Sequence, residues 1–350
     1  MTDLPDVLDV LVVGGGPAGL ATAILATQAG LRVTVAEPRT TPVDKACGEG
    51  LMPAAVQRLR ALGVEPDGWP LKGIRYLDAT HRAEALFRDG GGLGVRRTVL
   101  QAALAERSAK LAIPIVPIRV TEFTQRGGLV EAAGFRARHL VAADGLHSPI
   151  RRACGLDPAP ARRPRYGLRR HYRIAPWSDL VEVHWSTGAE AYVTPVAEDL
   201  VGIAILGPGG PAGAGDFDAR LAAFPALRER LADAEPAGSV RGAGPLRQDV
   251  RRRVAANVLL VGDASGYLDA LTGEGISVAL TQAAALVDCL RSGRTAEYER
   301  EWKRVSRKSR VLTSGLLWAR HTPVLAPRIV PAAVLLPRVF AAVVNQVASG

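Results

Sequence analysis

The stretch Val7–Glu37 limits the fold more than any other. Val7–Val13 is an apolar, β-rich run ending in Gly14-Gly15-Gly16. Pro17–Ala29 is helix-forming and stopped by Gly30, and Leu31–Glu37 is a second β-rich run closed by an acid. Period and punctuation read as strand, tight turn, helix, strand, the βαβ unit of a parallel sheet. The turn carries Gly14-x-Gly16-x-x-Gly19. Gly14 allows the tight turn, Gly16 lets the backbone approach a pyrophosphate, and Gly19 lets helix and strand pack closely, with Ala18 in the same loop. The helix start offers N–H groups and the positive end of its dipole to phosphates. Glu37, 18 residues after Gly19, stands where an acid accepts hydrogen bonds from an adenosine ribose.

Two later segments narrow a dinucleotide site to a flavin site. Val141–Gly145, with Ser148 and Arg151 behind it, ends a buried strand in Asp144-Gly145. Val258–Ala264 ends another in Gly262-Asp263, and Leu271-Thr272-Gly273-Glu274-Gly275-Ile276 then opens a long helix to Leu290. A carboxylate at Asp263 suits flavin ribityl or nearby ribose hydroxyls. Backbone N–H groups around Gly275 and Ile276 suit the negative charge that reduced flavin carries at N1/O2. Three strand-end motifs, each more than a hundred residues from the next, converge on one crevice of an open sheet.

Together with Arg97-x-x-Leu100-x-x-x-Leu104 at a helix start, these motifs resemble the FAD fingerprint set of the para-hydroxybenzoate hydroxylase-like flavoproteins. That superfamily includes aromatic monooxygenases, flavin halogenases and geranylgeranyl reductases. The similarity runs from Leu8 to about Leu290. It implies FAD as cofactor, Arg97 near its pyrophosphate or ribityl, and Val120 beside the adenine. It also implies that Asp144, Gly145, Gly262, Asp263, Gly273, Gly275 and Ile276 hold FAD. Lys45-Ala46-Cys47-Gly48-Glu49-Gly50 is similar to the cysteine-glycine segment of the geranylgeranyl reductase-like branch, which implies Lys45, Cys47 and Gly48 near the isoalloxazine. Ala191-Tyr192-Val193-Thr194-Pro195 stands where that branch carries Tyr-x-Trp-x-Phe-Pro, with Thr194 in place of the tryptophan. The halogenase Trp-x-Trp-x-Ile-Pro motif is absent. Hydroxylases carry a proline just before the Thr-Gly step, where this chain has Ala270-Leu271. The pairing of Cys-Gly-Glu-Gly with Tyr-Val-Thr-Pro also resembles flavoproteins of bacterial polyketide pathways, which oxidise phenolic or lipid-like products.

The fold expected is α/β: a Rossmann-type FAD-binding domain over 1–75, 95–155 and 250–295. A substrate-covering β-sheet region (76–94 and 156–249) is inserted, and a helical segment (296–350) closes the chain. Ile113–Phe123, Leu129–Ala132 and Phe135–Ala143 read as strands of a meander. Leu180–Trp185, Ala191–Val196 and Leu200–Leu206 read as an antiparallel sheet roofing the isoalloxazine, because the FAD motifs consume the carboxyl edge of the Rossmann sheet. By the period of two, Tyr192 shares a face with Thr194, and Glu182 with His184. Tyr192 is the candidate polar handle for substrate, and Cys47 the second candidate catalytic group.

The net charge of +10 is almost wholly arginine, with 5 lysines among 44 basic residues. It suits an anionic cofactor, an anionic substrate or a membrane surface. With aromatics at 5% and no basic helix interleaved with stacking residues, nucleic acid is not an expected partner. Cys47, Cys154 and Cys289 are scattered, give neither a disulfide framework nor a metal pattern, and suit a reducing cytoplasm. No signal-peptide pattern and no membrane-length apolar run is present. The basic run Arg300–Arg310, followed by apolar Val311–Leu317 and a proline-broken tail, leaves two readings: helices packed on the body, or peripheral membrane contact. The oligomeric state stays open. The leading functional expectation is FAD-dependent monooxygenation of a hydrophobic or phenolic small molecule, with NAD(P)H reducing the flavin. Double-bond reduction is the alternative, and a flavin-binding or maturation protein without turnover the third.

Overall fold

Strands buried on both faces need apolar side chains at every position, not at alternate ones. In the computed structural model, which describes residues 7–157, 163–209 and 214–350, the first sheet is built this way. Its parallel core runs in the order Val258–Leu260, Phe135–Ala142, Leu8–Val13, Val33–Ala36, Ile115–Val116. Val10 and Val12 pack with Leu20, Ile24, Leu100, Leu104 and Leu286 from the helices on one face. Leu11 and Val13 pack with Val130, Ala132 and Ile150 on the other. The meander strands Thr124–Arg126 and Leu129–Ala132 pair antiparallel beside Phe135–Ala142. The expected strand Ile113–Phe123 shrinks to Ile115–Val116. Pro114 and Pro117 flank it, and neither can donate to a ladder.

A seven-stranded second sheet is antiparallel except where Leu180–Trp185 runs parallel to Gly73–Leu77. Its centre is Leu180–Trp185, Glu190–Ala197 and Leu200–Pro208, the three strands expected to form a roof. Two nine-residue strands, Arg165–Arg173 and Glu235–Ala243, extend it and were not legible in the sequence. Their arginines, glycines and prolines hide the alternation that marks a strand. The arginine- and proline-rich segment after Arg152 reads as a linker and Gly207–Gly215 as a flexible loop; Pro158 and Pro160 of the one and positions 210–213 of the other lie outside the described residues. Val193, Ile203 and Ile205 on one face of this sheet pack under Phe217, Leu221 and Leu227. Val181, Val183 and Tyr192 on the other face meet Leu317, Ala333, Phe340 and Val344 from the C-terminal helices Tyr298–His321, Ile329–Leu335 and Pro337–Ala348. A three-stranded sheet of Gly50–Leu51, Trp69–Leu71 and Gly92–Gly94 fits beneath. At Gly94 a Cβ would lie 1.8 Å from the Pro195 carbonyl oxygen.

The C-terminal helices are tied to the roof by a buried ionic cluster. Glu190, with no solvent exposure, accepts from Arg165 Nη2 at 2.5 Å and from Arg320 Nε, and Arg165 Nε donates to Asp269 at 2.9 Å. Burial works against the Arg165 charge, and Glu190 and Asp269 more than offset it. Removing one member strands the others in a dry interior. Glu190→Ala should therefore cost about 3–5 kcal/mol in denaturant unfolding. A loss of less than about 1 kcal/mol would mean that the cluster adds nothing beyond an exposed ion pair.

Candidate active site

The carboxyl ends of Leu8–Val13, Phe135–Ala142 and Val258–Leu260 meet at one edge of the first sheet. The loops leaving them, the roof strands and the C-terminal helices enclose a cavity of about 1050 Å³. Gly16, the N-cap of the helix Pro17–Gln28, has no side-chain cap. A Cβ built on it meets only Arg97 Nη2, at 3.6 Å, so this backbone is open to the cavity. Ala18 lines the cavity beside it, whereas Gly14 and Gly19 do not and instead close the joint below. Gly14 has φ +110° and lies where a Cβ would come within 2.4 Å of the Ala143 carbonyl oxygen. At Gly19 a Cβ would be 1.9 Å from the Gly14 oxygen.

Glu37 is buried at the end of the second strand. It accepts from the Gly15 N–H at 2.7 Å and from Arg39 Nε and Nη2, both at 2.8 Å. Burial alone would raise its pKa, but the bonds from Arg39 and Gly15 outweigh it and hold the carboxyl below its usual range. Arg39 lines the cavity and was missed in the sequence, where it is one arginine among many. Val120 is buried with Leu11, Val13, Ala36 and Leu140 and does not line the cavity.

Arg97, Lys45, Asp144, Gly145, Gly262 and Asp263 line the cavity floor. Lys45 Nζ binds Asp263 Oδ2 at 2.7 Å across it. Arg97 is buried at the start of its helix, and its backbone N–H donates to Glu49 Oε1 at 2.8 Å. Arg97 Nε and Asp144 Oδ1 are buried without a partner among the described residues, although buried polar groups normally have one. Two uncapped helix N-termini, an open glycine backbone and these polar atoms are the donors and acceptors that a pyrophosphate and a ribityl chain require. The residues present therefore fit FAD.

The flank of the cavity is formed by Cys47 and Gly48 on one segment and by Gly273, Gly275 and Ile276 on another. Gly275 starts the helix Gly275–Arg291, and the Tyr267 ring lies 3.5 Å from its Cβ position. Burial pushes the Cys47 thiol up, against an opposing pull from Arg97. Tyr192 and Tyr267 are held far above their usual range, first by burial. These groups stay protonated at neutral pH, and burial makes each a weaker acid than the free side chain.

The segment carrying Cys47 is clamped from the roof by Arg169, His171 and Thr194. Glu49, 2% exposed and at φ +60°, receives His171 Nε2 on Oε2 at 2.6 Å. Arg169 binds Asp44 and donates to the Lys45 carbonyl at 3.3 Å, and Thr194 Oγ1 donates to the Gly48 carbonyl at 2.8 Å. A left-handed backbone is uncommon outside glycine and persists where surroundings enforce it. Tyr192 faces the cavity, but its hydroxyl donates to the Leu271 carbonyl at 2.8 Å. The phenol proton thus braces the turn before Thr272, and only the oxygen's acceptor capacity is left to meet a substrate. Glu182 and His184 point away from the cavity, where Glu182 binds Arg75, Trp177 and His184.

Residues 7–103 match the FAD binding domain family. The chain is 28% identical over 341 residues to a menaquinone reductase of Mycolicibacterium smegmatis, covering 84% of this chain and 79% of the relative. It is 28% identical over 298 residues to a digeranylgeranylglycerophospholipid reductase of Methanopyrus kandleri, covering 78% and 74%. The crystal structure of a flavoprotein/dehydrogenase from Cytophaga hutchinsonii superposes with a TM-score of 0.83 at 18% identity, over 98% of this chain and 93% of that one. The chain is an FAD-dependent oxidoreductase.

Glu37 is buried outside the cavity lining, and its expected role is FAD affinity and not chemistry. Glu37→Ala should weaken FAD binding by about 1.5–3 kcal/mol, read by flavin fluorescence titration, with turnover recovered at saturating FAD. Persistent loss of turnover at full occupancy would overturn the assignment. Tyr192→Phe removes only the bond to Leu271. FAD content should stay unchanged while amide exchange at Leu271–Gly273 speeds roughly fivefold, the equivalent of about 1 kcal/mol. Unchanged exchange would show that the hydroxyl does not brace the turn.

Proposed function

We propose that this enzyme uses FAD to reduce a carbon–carbon double bond in a long, apolar, lipid-like substrate, with NAD(P)H as the electron source. The observation that carries the reading is the shape and lining of the cavity. Beyond the flavin motifs it continues between the roof strands and the C-terminal helices, where Val183, Leu206, Leu316, Ala333 and Phe340 form its wall. A largely apolar pocket with a few placed polar groups suits a hydrophobic chain held by contact area. The two sequence relatives are named reductases, one for a menaquinone and one for a prenyl phospholipid.

The polar groups at the flavin end support the same reading. Bound FAD supplies hydride chemistry there. The protein's share is to hold the chain against the flavin edge, keep water out and offer a proton to the second carbon. Cys47 and Tyr267 are the residues for that last role, since both line the cavity at its flavin end and each carries an exchangeable proton. Monooxygenation of a hydrophobic or phenolic molecule is the second reading, supported by the Tyr76 and Tyr267 side chains in the cavity wall, which suit a phenol.

Anaerobic incubation with NADPH and a polyprenyl lipid should yield a product one H₂ heavier. Oxygen uptake coupled to a hydroxylated product, with no anaerobic turnover, would favour the second reading. Ala333→Trp, which blocks the apolar arm, should lower kcat/KM for the lipid by roughly tenfold or more, about 1.4 kcal/mol, without changing FAD content. Unaltered kcat/KM would place the substrate elsewhere.

A further inference from the structure

The apolar arm of the cavity does not end inside the protein. Val311, Leu336, Val339 and Val343 line it and are at the same time 63%, 55%, 56% and 45% exposed, so they form an apolar rim at its opening. Trp318, 67% exposed, lies two turns beyond Val311 on the same stripe of its helix, and Leu335, 78% exposed, precedes Leu336. Isolated exposed apolar residues are ordinary, but a contiguous cluster around a cavity mouth marks a contact surface.

The charge around this rim is one-sided. Residues 302–350 contain eight Lys/Arg and no Asp or Glu, in a chain whose net charge is +10. Arg320 turns inward to Glu190, whereas Lys303, Arg304, Arg307 and Lys308 are exposed on the solvent face that continues into Val311 and Trp318. The helices Ala326–Leu335 and Pro337–Ala348 meet at 106°, and no single helix among the described residues is long and apolar enough to cross a membrane. Val330, Ala333, Phe340 and Val344 hold these two helices against the body while their other faces look outward. Lys303 and Arg304 pair with Glu299 and Glu301, but these carboxylates lie further from Val311 along the helix than Arg307 and Lys308 do. An exposed apolar ridge bordered by more cations than anions matches an anionic lipid surface better than a protein partner of mixed charge.

We propose that this C-terminal face docks on an anionic bilayer, with the cavity mouth against the lipid, so that substrate enters from the membrane without passing through water. The entry route rests on the lipid-substrate reading above, whereas the docking does not. The test uses the full-length, FAD-loaded protein and flotation with phosphatidylglycerol/phosphatidylcholine vesicles, beside pure phosphatidylcholine vesicles. Binding should favour the anionic vesicles, weaken with salt and shift Trp318 emission to the blue. Trp318→Glu/Leu335→Glu should lower vesicle binding by roughly tenfold or more. Lys303→Glu/Arg307→Glu should do the same for the anionic vesicles, and both variants should keep full FAD absorbance.

No flotation of the wild-type protein at low salt would overturn the proposal, as would flotation indifferent to both pairs of substitutions. A dimer in sedimentation equilibrium that Trp318→Glu/Leu335→Glu dissolves would assign the face to a second copy instead. Docking without any lipid reduction would defeat the functional reading and leave this one standing. Reduction of a detergent-dispersed lipid by a protein that ignores vesicles would do the reverse.

Discussion

Everything at the active site depends on how closely one helix sits on the ends of two strands. The Gly19 face of Pro17–Gln28 leaves no room for a Cβ against Gly14, and Gly14 leaves none against Ala143. Ala18 closes on Gly262 in the same way, where a Cβ would come to 2.7 Å of the alanine methyl. Each motif is thus packed against a residue from another, over separations of more than a hundred positions. Packed interiors yield little to such overlaps, so the helix N-terminus, Asp144 and Asp263 have one relative placement. A binding edge for a long, folded cofactor follows from that rigidity.

The second sheet is fixed to this edge by polar groups. Arg169, His171 and Thr194 reach down from the roof to Asp44, Glu49 and Gly48, and Arg165 and Glu190 reach out to Asp269 and Arg320. Both sets are buried, where half-satisfied networks are costly and complete ones set a unique arrangement. The clamp on Glu49 explains why a non-glycine residue can sit at φ +60° beside the flavin motifs. Roof and floor are therefore registered to each other before any substrate arrives.

The parts of this architecture that were legible in the sequence are those held by local rules. A glycine turn between a β-rich run and a helix, and an acid at the end of the next strand, follow from backbone sterics and hydrogen bonding within about thirty residues. Arg165–Arg173 and Glu235–Ala243 escaped because their polar side chains are satisfied by residues far along the chain, such as Asp269 and Asp44. Tyr192 was placed on the cavity face by its period, yet its bond to Leu271 depends on a loop 79 residues away. Glu49 stood in a quoted motif, but its partner His171 is 122 residues distant, and nothing local signals the pairing. Arg39 and the C-terminal wall were likewise invisible to pattern, because contact with a cavity is a property of the tertiary fold.

That division bears on how one scaffold serves different oxidoreductases. The FAD-binding edge is built from backbone, glycine and a few acids, and these leave little room for variation. The walls facing the substrate are ordinary side chains on the roof sheet and on the C-terminal helices, which join the edge through bonds such as Thr313 to Thr272 and Ser309 to Glu274. Function resides in such sites rather than in the fold that carries them. In this chain the wall is long and apolar, and its polar groups near the flavin are held protonated by burial. A site that needed to strip a proton from a phenol would require a group whose pKa burial had brought toward neutrality from the acid side. Asp144 and Glu274 are pushed up in that way, but Asp144 lies on the floor near Gly145, and Glu274 bonds Ser309 on the far side of its helix start. Of these two, Glu274 is turned to Ser309 and Asp144 faces the cavity floor, so what a substrate meets along the wall is apolar surface with protonated thiol and hydroxyl groups at one end.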